Sequence, residues 1–382
     1  MTLVYVIAGE ASGDVLGARL ISALRARRPG LEFTGIGGPA MAAQGVESLF
    51  PMHELALMGL LEVLPKIFHL RARIEQTVAD ISARRPDVVI TIDSPGFTLR
   101  VLRKIQHLGL KRAHYVAPQA WAWKEKRVEK FPGLWDRLLC LLPFEPAFFA
   151  RHGLRGDFVG HPVLESGADT GDAARFRAAH GLAAETPVLT IMPGSRRMEV
   201  SRLLPILEES LRLIAARVPG VVPVVPVGAL VAELVKQATA LWNPRPVVVT
   251  TTDDKHDAFA ASAAALTKSG TSTLELALAC VPMIVAYRFN PITAAIARRL
   301  IKVKYASILN LMADRAVIPE FIQQDCTPAK LAEALVPLLA DPTAAQAQRE
   351  ALRPYLDMLR PPGGEKPSEA AAAAILALLD QA

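Results

Sequence analysis

A chain of 382 residues exceeds the size that one hydrophobic core usually supports, and an apolar fraction of 51% is enough for two. The net charge of +6 and a pI near 9.3 favour anionic partners. With no helix-turn-helix, zinc finger or aromatic stacking platform in the sequence, the anion is not expected to be nucleic acid. Cys140, Cys280 and Cys326 are far apart, which excludes a disulfide framework and suits a reducing cytoplasm.

The N-terminus, Met1 to Ala8, has no basic leader and runs directly into a strand pattern, so it is not read as a signal peptide. Nor does any apolar run approach the roughly eighteen residues of a membrane span. Leu3 to Ala8 is the first expected strand, and Gly9-Glu-Ala-Ser-Gly-Asp-Val-Leu-Gly17 opens the first helix. The spacing of Gly9, Gly13 and Gly17 differs from G-x-G-x-x-G, which argues against NAD. Ser12 suits an N-cap. Glu10 and Asp14 at the same strand mouth suit hydrogen bonds to sugar hydroxyls and are candidate catalytic carboxylates, with Ser12 and Gly13 beside them as substrate-binding positions.

Leu55 to Leu70 is unusually greasy and is followed by Arg71 and Arg73. Met58, Leu60, Leu61, Leu64, Ile67 and Phe68 can enter a membrane interface or receive acyl chains, or they can be ordinary core; Pro65 argues against one straight helix. Asp93 ends the strand Val88 to Ile92 immediately before Ser-Pro-Gly. Its carboxylate should emerge at the carboxyl edge of a sheet, as a base for a sugar hydroxyl or as a cap of the next helix near Phe97. Two of the four tryptophans, Trp121 and Trp123, follow His114-Tyr-Val-Ala-Pro118 as acceptor-pocket walls or core anchors. His161 reads as a structural or hinge residue.

A polar stretch, Ser166 to Asp172, reads as a linker between residues 1–165 and 173–345. Beyond it, apolar runs at Val188 to Met192, Val221 to Val227, Val247 to Thr250, Ala263 to Leu266 and Met283 to Ala286 alternate with helix-length amphipathic segments. Both halves therefore predict parallel sheets covered on both faces, two Rossmann-like doubly wound α/β domains with a cleft between them. Residues 346–382, interrupted by Pro361-Pro-Gly-Gly-Glu-Lys-Pro367, are expected to return to the first domain.

In the second half, Pro193-Gly-Ser-Arg-Arg197 follows its strand as a turn whose Gly194 and Ser195 N–H groups suit phosphate, with Arg196 as a bidentate cation. Lys268-Ser-Gly-Thr-Ser272 sits between a strand and a helix. The unpaired N–H groups of Gly270, Thr271 and Ser272 and the helix dipole make a diphosphate site, and Glu275, one turn on, suits ribose hydroxyls. The plain alternative is that Ser269, Thr271 or Ser272 caps the helix. No Asp-x-Asp pair stands in a credible metal site, and no cofactor is expected.

Taken in order, Ala8 to Asp14, Met58 to Glu62, Ile92 to Phe97, His114 to Pro118 with Trp121 and Trp123, Leu142 to Glu145, Phe158 to His161, Pro193 to Arg196, Ser269 to Thr271 with Glu275, and Leu309 to Leu311 closely resemble the lipid-A-disaccharide synthase family. The resemblance runs from end to end and implies a GT-B glycosyltransferase. The implied reaction moves 2,3-diacylglucosamine from its UDP derivative to 2,3-diacylglucosamine 1-phosphate, with inversion. It also implies a cytoplasmic enzyme bound peripherally to the inner face of the inner membrane, often a homodimer with an exchanged C-terminal segment. Family residues essential for activity map onto Asp93, Arg196 and Asn310. The second acidic residue that the family often carries after the Asp-x-Pro motif is absent, because Gly96 and Phe97 follow Pro95. Rival expectations are another GT-B transferase such as the peptidoglycan N-acetylglucosaminyltransferase, a UDP-sugar 2-epimerase, and a noncatalytic nucleotide-sugar or lipid-binding protein.

Overall fold

A computed structural model of the protein describes residues 2–55, 63–123, 125–290 and 303–381, in two compact units. Unit 1 comprises Met1–Pro162 and Leu359–Ala382, and unit 2 comprises Val163–Met358. Unit 1 runs β1 (Thr2–Ala8), α1 (Ala11–Arg27), β2 (Leu31–Ile36), α2 (Pro39–Ala43), α3 (Val63–Arg84), β3 (Val88–Ile92), α4 (Thr98–Ile105), β4 (Lys111–Tyr115), β5 (Arg137–Cys140), α5 (Glu145–Ala150) and β6 (Gly156–Phe158). Its six strands are all parallel, in the order β2-β1-β3-β4-β5-β6. β3 is buried along its whole length, as expected of a strand covered by helices on both faces. The edge strand β2 mixes Glu32 and Thr34 into its apolar pattern and has no counterpart among the sequence-predicted strands.

Unit 2 runs α6 (Ala173–Ala179), β7 (Val188–Met192), α7 (Arg197–Ala215), β8 (Val222–Pro226), α8 (Ala229–Thr239), β9 (Val247–Val249), α9 (Thr252–Ala261), β10 (Ala264–Thr267), α10 (Thr271–Leu278), β11 (Met283–Tyr287), α11 (Ile308–Ala313), β12 (Glu320–Ile322), α12 (Pro328–Ala340) and α13 (Pro342–Asp357). Its parallel sheet has the order β12-β11-β10-β7-β8-β9. The expected linker around residues 166–172 is part of this unit: the Asp172 N–H donates to Asp257, and Arg175 grips the same carboxylate at 2.5 Å and 2.6 Å.

The tail divides differently from expectation. α13 stays in unit 2, where the Gln348 amide bonds both the N–H and the carbonyl of Met283 and the Arg349 guanidinium donates to the Cys280 carbonyl. Only the segment from Leu359 belongs to unit 1. There α14 (Pro367–Leu379) buries Ala371, Ala372, Ile375 and Leu378 in one cluster with Leu20, Ile21 and Leu24 of α1. Lys111 hydrogen-bonds the Leu379 carbonyl at 2.8 Å, and Arg27–Glu365 and Arg28–Asp380 pair at the rim. The rim pairs are exposed and contribute on the order of 0–1 kcal/mol each, so the apolar seam carries the docking.

Ile375 is fully buried in that seam. Ile375→Ala should therefore destabilise unit 1 by about 2–5 kcal/mol in urea unfolding, whereas Arg28→Ala should change it by less than about 1 kcal/mol.

Candidate active site

β2 lies on the far side of β1 from β3, so unit 1 reverses its strand order between β1 and β3, and helices leaving that point diverge to open a crevice at the carboxyl ends. The loops after β1 and β3 meet there. A Cβ on Gly9 would stand 2.4 Å from Ser94 Oγ, so only glycine lets the two loops close. Asp93 and Ser94 both take left-handed backbone, with φ of 48° and 45°, a conformation costing on the order of 1–3 kcal/mol per residue. The Thr98 hydroxyl, hydrogen-bonded to the Asp93 carbonyl at 2.6 Å and the Ser94 carbonyl at 3.0 Å, holds the turn. The Asp93 N–H donates to the Tyr115 carbonyl of β4.

Asp93 does not cap a helix, since the N-cap of α4 is Phe97 and no side chain caps it. Burial raises its carboxyl above the usual carboxylate range, against the opposing hydrogen bond from the Ser94 N–H. A carboxylate that holds a proton more tightly is a stronger base.

Glu10 is the exposed N-cap residue of α1 and gives no side-chain cap; Ser12, also exposed, sits in the first turn and does not cap either. Gly13 packs at ordinary contact on Ala8 and Ile92. The expectation that Asp14 serves catalysis does not hold. Its buried carboxylate accepts the N–H groups of Gly38 (2.8 Å), Ala40 (2.9 Å) and Met41 (3.0 Å), which commits it to closing the start of α2. Further along the same edge, the Trp121 indole N–H donates to Glu145, whose other oxygen takes the Leu141 and Leu142 N–H groups, so Trp121 is an anchor while Trp123 stays 39% exposed.

In unit 2 the order reverses between β7 and β10, and both phosphate-type loops of the sequence leave from these two adjacent strands. They border a cavity of about 360 Å³ lined by Ser195, Lys255, Lys268, Thr271 and Ser272 among others. Gly270, with φ of 143°, is the N-cap of α10, and no side chain caps the helix. The capping alternative for Ser269, Thr271 and Ser272 therefore fails. Ser269 instead donates to the Ala306 carbonyl at 2.7 Å. A helix start without a side-chain cap, bordering a cavity lined by two lysines, suits an anion.

Several expected ligands are arranged differently from the sequence reading. The Ser195 N–H is taken by the buried carboxylate of Glu199 at 3.3 Å and does not point its hydrogen bond at a phosphate. Gly194, at φ 117°, takes a backbone conformation that side-chain-bearing residues rarely adopt, and a Cβ there would also stand 2.2 Å from Glu199 Oε2. Arg196 is exposed at the N-cap of α7. Glu275 is half-buried and pairs with Lys255 at 3.0 Å, leaving its second oxygen for a further donor. Asn310 is fully buried, with its amide engaged by protein groups.

Sequence reasoning gave no role to Lys255, Glu199 or Tyr287, and it quoted Lys268 without one. Lys268 lies 3.9 Å from Glu199. Tyr287 shares a hydrogen bond with Glu199, and burial first, then that negative charge, push its phenol up to about 12. The signal available in sequence was the strand-end position of Lys268 itself.

The greasy segment falls partly outside the described residues: Met58, Leu60 and Leu61 are not among them, and the described part of α3 starts at Val63. Pro65 lies in the described part of this helix, and the stretch from Leu55 to Val63, on which the expectation of a broken helix bears, falls largely outside the described residues. Leu64 and Ile67 lie in the described part of the same helix. Phe68 is 80% exposed, while Leu70 and Ile74 face the core. Arg71 shares the exposed face with Phe68 at i,i+3. Arg73 does not: it pairs with Glu54 at 2.6 Å and covers the Phe50 ring.

Two parallel doubly wound sheets in one chain, each with a ligand-type edge at its switch point, define the GT-B class of nucleotide-sugar enzymes. Solved structures agree at the level of fold. The UDP-GlcNAc 2-epimerase from Neisseria meningitidis bound to UDP-GlcNAc superposes with a TM-score of 0.66 at 12% identity over 100% of both chains. The calicheamicin glycosyltransferase CalG4 gives 0.60 at 15% identity, covering 99% of this chain and 98% of its own. The lipid-A-disaccharide synthetase family model matches residues 4–374. The lipid-A-disaccharide synthase of Granulibacter bethesdensis is 56% identical over 389 residues, covering 99% of each chain. The chain belongs to this family: it is an enzyme, a glycosyltransferase of lipid A biosynthesis.

Asp93 supplies a stability test with a definite sign. Because its folded-state pKa is raised, the unfolded chain ionises first as pH rises, so native stability falls from the ordinary carboxylate range up through the folded pKa and then levels off. Asp93→Asn removes that loss and tolerates left-handed backbone. The variant should melt higher than the parent at pH 7, with the difference shrinking toward pH 3 in a calorimetric series.

Proposed function

We propose that the enzyme transfers 2,3-diacylglucosamine from its UDP derivative to the 6-hydroxyl of 2,3-diacylglucosamine 1-phosphate, with inversion, giving the β-1,6-linked disaccharide 1-phosphate and UDP. The observation that carries the reading is a division of labour between two switch points. One holds a raised carboxylate that caps no helix; the other holds an uncapped helix start with two lysines over a cavity. An α-linked nucleotide sugar yielding a β product requires a single in-line displacement. Asp93 takes the proton of the 6-hydroxyl as that oxygen bonds the anomeric carbon, and the bond from that carbon to the diphosphate breaks with its electron pair leaving on UDP.

Charge then grows on the departing diphosphate. The first-turn N–H groups at Thr271 and Ser272, with Lys268 and Arg196, stabilise it more in the transition state than in the ground state. Glu275, oriented by Lys255, accepts hydrogen bonds from the ribose. Because donor and acceptor both carry acyl chains, the enzyme works at the inner face of the inner membrane. Phe68 and Arg71 on the exposed face of α3 make the contact that the described residues support, one apolar and one cationic.

Mass spectrometry of the product formed from diacylated donor and acceptor tests the reaction. UDP released without the diacylated glucosamine phosphate, or no disaccharide, overturns it. Two substitutions should separate the sites: Asp93→Asn lowers turnover about 10²–10⁴-fold and leaves UDP affinity intact, and Glu275→Ala weakens UDP binding in calorimetry by about 1–3 kcal/mol. An Asp93→Asn enzyme with parental turnover removes the base.

Phe68→Ser should leave folding unchanged, because the ring is already in solvent, and weaken binding to anionic vesicles by up to about 1.5–3 kcal/mol in a sedimentation assay. Raised salt should then reduce the remaining binding. Parental vesicle affinity in the variant places docking elsewhere.

A further inference from the structure

Asn310 has no amide atom to offer a substrate. Its Nδ2 donates to the Ile318 carbonyl and to Glu320 Oε1, both at 2.7 Å, and its Oδ1 accepts the Ile318 N–H at 2.9 Å. The pattern of donors and acceptors fixes which way the amide points. Glu320 passes the constraint on: Oε1 also accepts the Ser307 N–H at 2.8 Å, and Oε2 accepts the Ala306 N–H at 2.7 Å. The carbonyl of the same Ala306 receives the Ser269 hydroxyl at 2.7 Å. Ser269 immediately precedes Gly270, the uncapped start of α10. At the other end the network is tied to the sheet, because the Val285 N–H of β11 donates to the Pro319 carbonyl and Glu320 opens β12.

We propose that Asn310, Glu320 and Ser269 form one positioning relay that sets the diphosphate-binding turn at Gly270–Ser272, and that none of the three needs to touch the reacting atoms. The inference rests on reading that turn as the donor site. Gly270 sits at a backbone angle open to few residues, so the loop has no local preference for the conformation in which its N–H groups converge. The hydroxyl of Ser269 ties the loop to the segment that Glu320 and Asn310 hold. An N–H donor misplaced by a fraction of an ångström loses most of its value to a developing anion, which is why a buried amide away from the cavity can be needed for turnover.

Asn310→Ala alone is a poor test, since it strands the buried Ile318 N–H and carbonyl and can unfold the site. Ser269→Ala leaves that cage intact. In the full-length enzyme it should keep the parental melting temperature and acceptor KM, while the donor KM and the Kd for UDP rise about 3- to 10-fold, the effect of one hydrogen bond. Ser269→Thr, which retains the hydroxyl, should recover most of the loss. In a cycle measured under conditions where all variants are folded, adding Ser269→Ala to Asn310→Ala should raise the UDP Kd little further, because one relay is broken only once. Fully additive losses, or a Ser269→Ala enzyme with parental donor KM, overturn the relay. Glu275→Ala run alongside separates the two ways of failing. If it weakens UDP binding and Ser269→Ala does not, the relay alone falls; if neither does, the donor-site reading falls with it.

Discussion

A parallel sheet leaves its ligand-binding loops at one end only, and the point where its strand order reverses is where the flanking helices part. Everything chemical in this protein follows from having two such points. Between β1 and β3 the crevice collects Gly9, Glu10 and the Asp93–Ser94 turn; between β7 and β10 it collects the Gly194 and Gly270 turns. Helices packed on both faces bury β3 entirely, so polar side chains meet water mainly at the strand ends. Strand order thus decides which of the many carboxylates and cations can do chemistry.

The first edge stores strain. Two consecutive left-handed residues at Asp93 and Ser94 are joined on the neighbouring strand end by Val116, a β-branched residue with φ of 75°. Such backbone survives because other bonds over-determine it: the Thr98 hydroxyl on two carbonyls, the Asp93 N–H on β4, the Val116 N–H on the Leu139 carbonyl of β5. The result is a carboxylate raised by burial yet not occupied by a cap, a combination that lowers stability and that the proposed role as base would put to use.

Strand and helix alternation was legible because buried parallel strands read as apolar runs, and the two glycine turns were legible because they follow such runs directly. What a side chain does within a turn was less so. Asp93 and Asp14 look alike in sequence, each a carboxylate near a strand mouth. One stands clear of the following helix while the other is filled by three N–H groups from α2, a segment 24 or more residues away. Ser269 suited a helix cap by position, but its partner, Ala306, lies 37 residues on. Asn310 was reached through family resemblance, and its hydrogen-bond partners, Glu320 and Ile318, are residues that no local pattern ties to it. β2 and β12 sit at sheet edges, where mixed polarity and short length weaken the pattern that betrays a central strand.

The second edge raises an electrostatic question that its geometry answers. Its two cavity-lining lysines are each set near a carboxylate, Lys255 at 3.0 Å from Glu275 and Lys268 at 3.9 Å from Glu199. Pairing reduces the cost of holding cations in a partly enclosed site before a ligand arrives. In the proposed reaction it would also limit how tightly the product diphosphate binds, because each lysine is already partly neutralised. The looser of the two pairs is the one beside the Gly270 turn, where Glu199 is further engaged by the Ser195 N–H and by Tyr287. Lys268 is therefore the less tightly paired cation, free to follow charge on the leaving group of the proposed reaction, while Lys255 is held against Glu275. In the proposed reaction one lysine would answer the transition state and the other would fix a hydroxyl acceptor, a distinction that distance and hydrogen bonding set and that residue type alone does not.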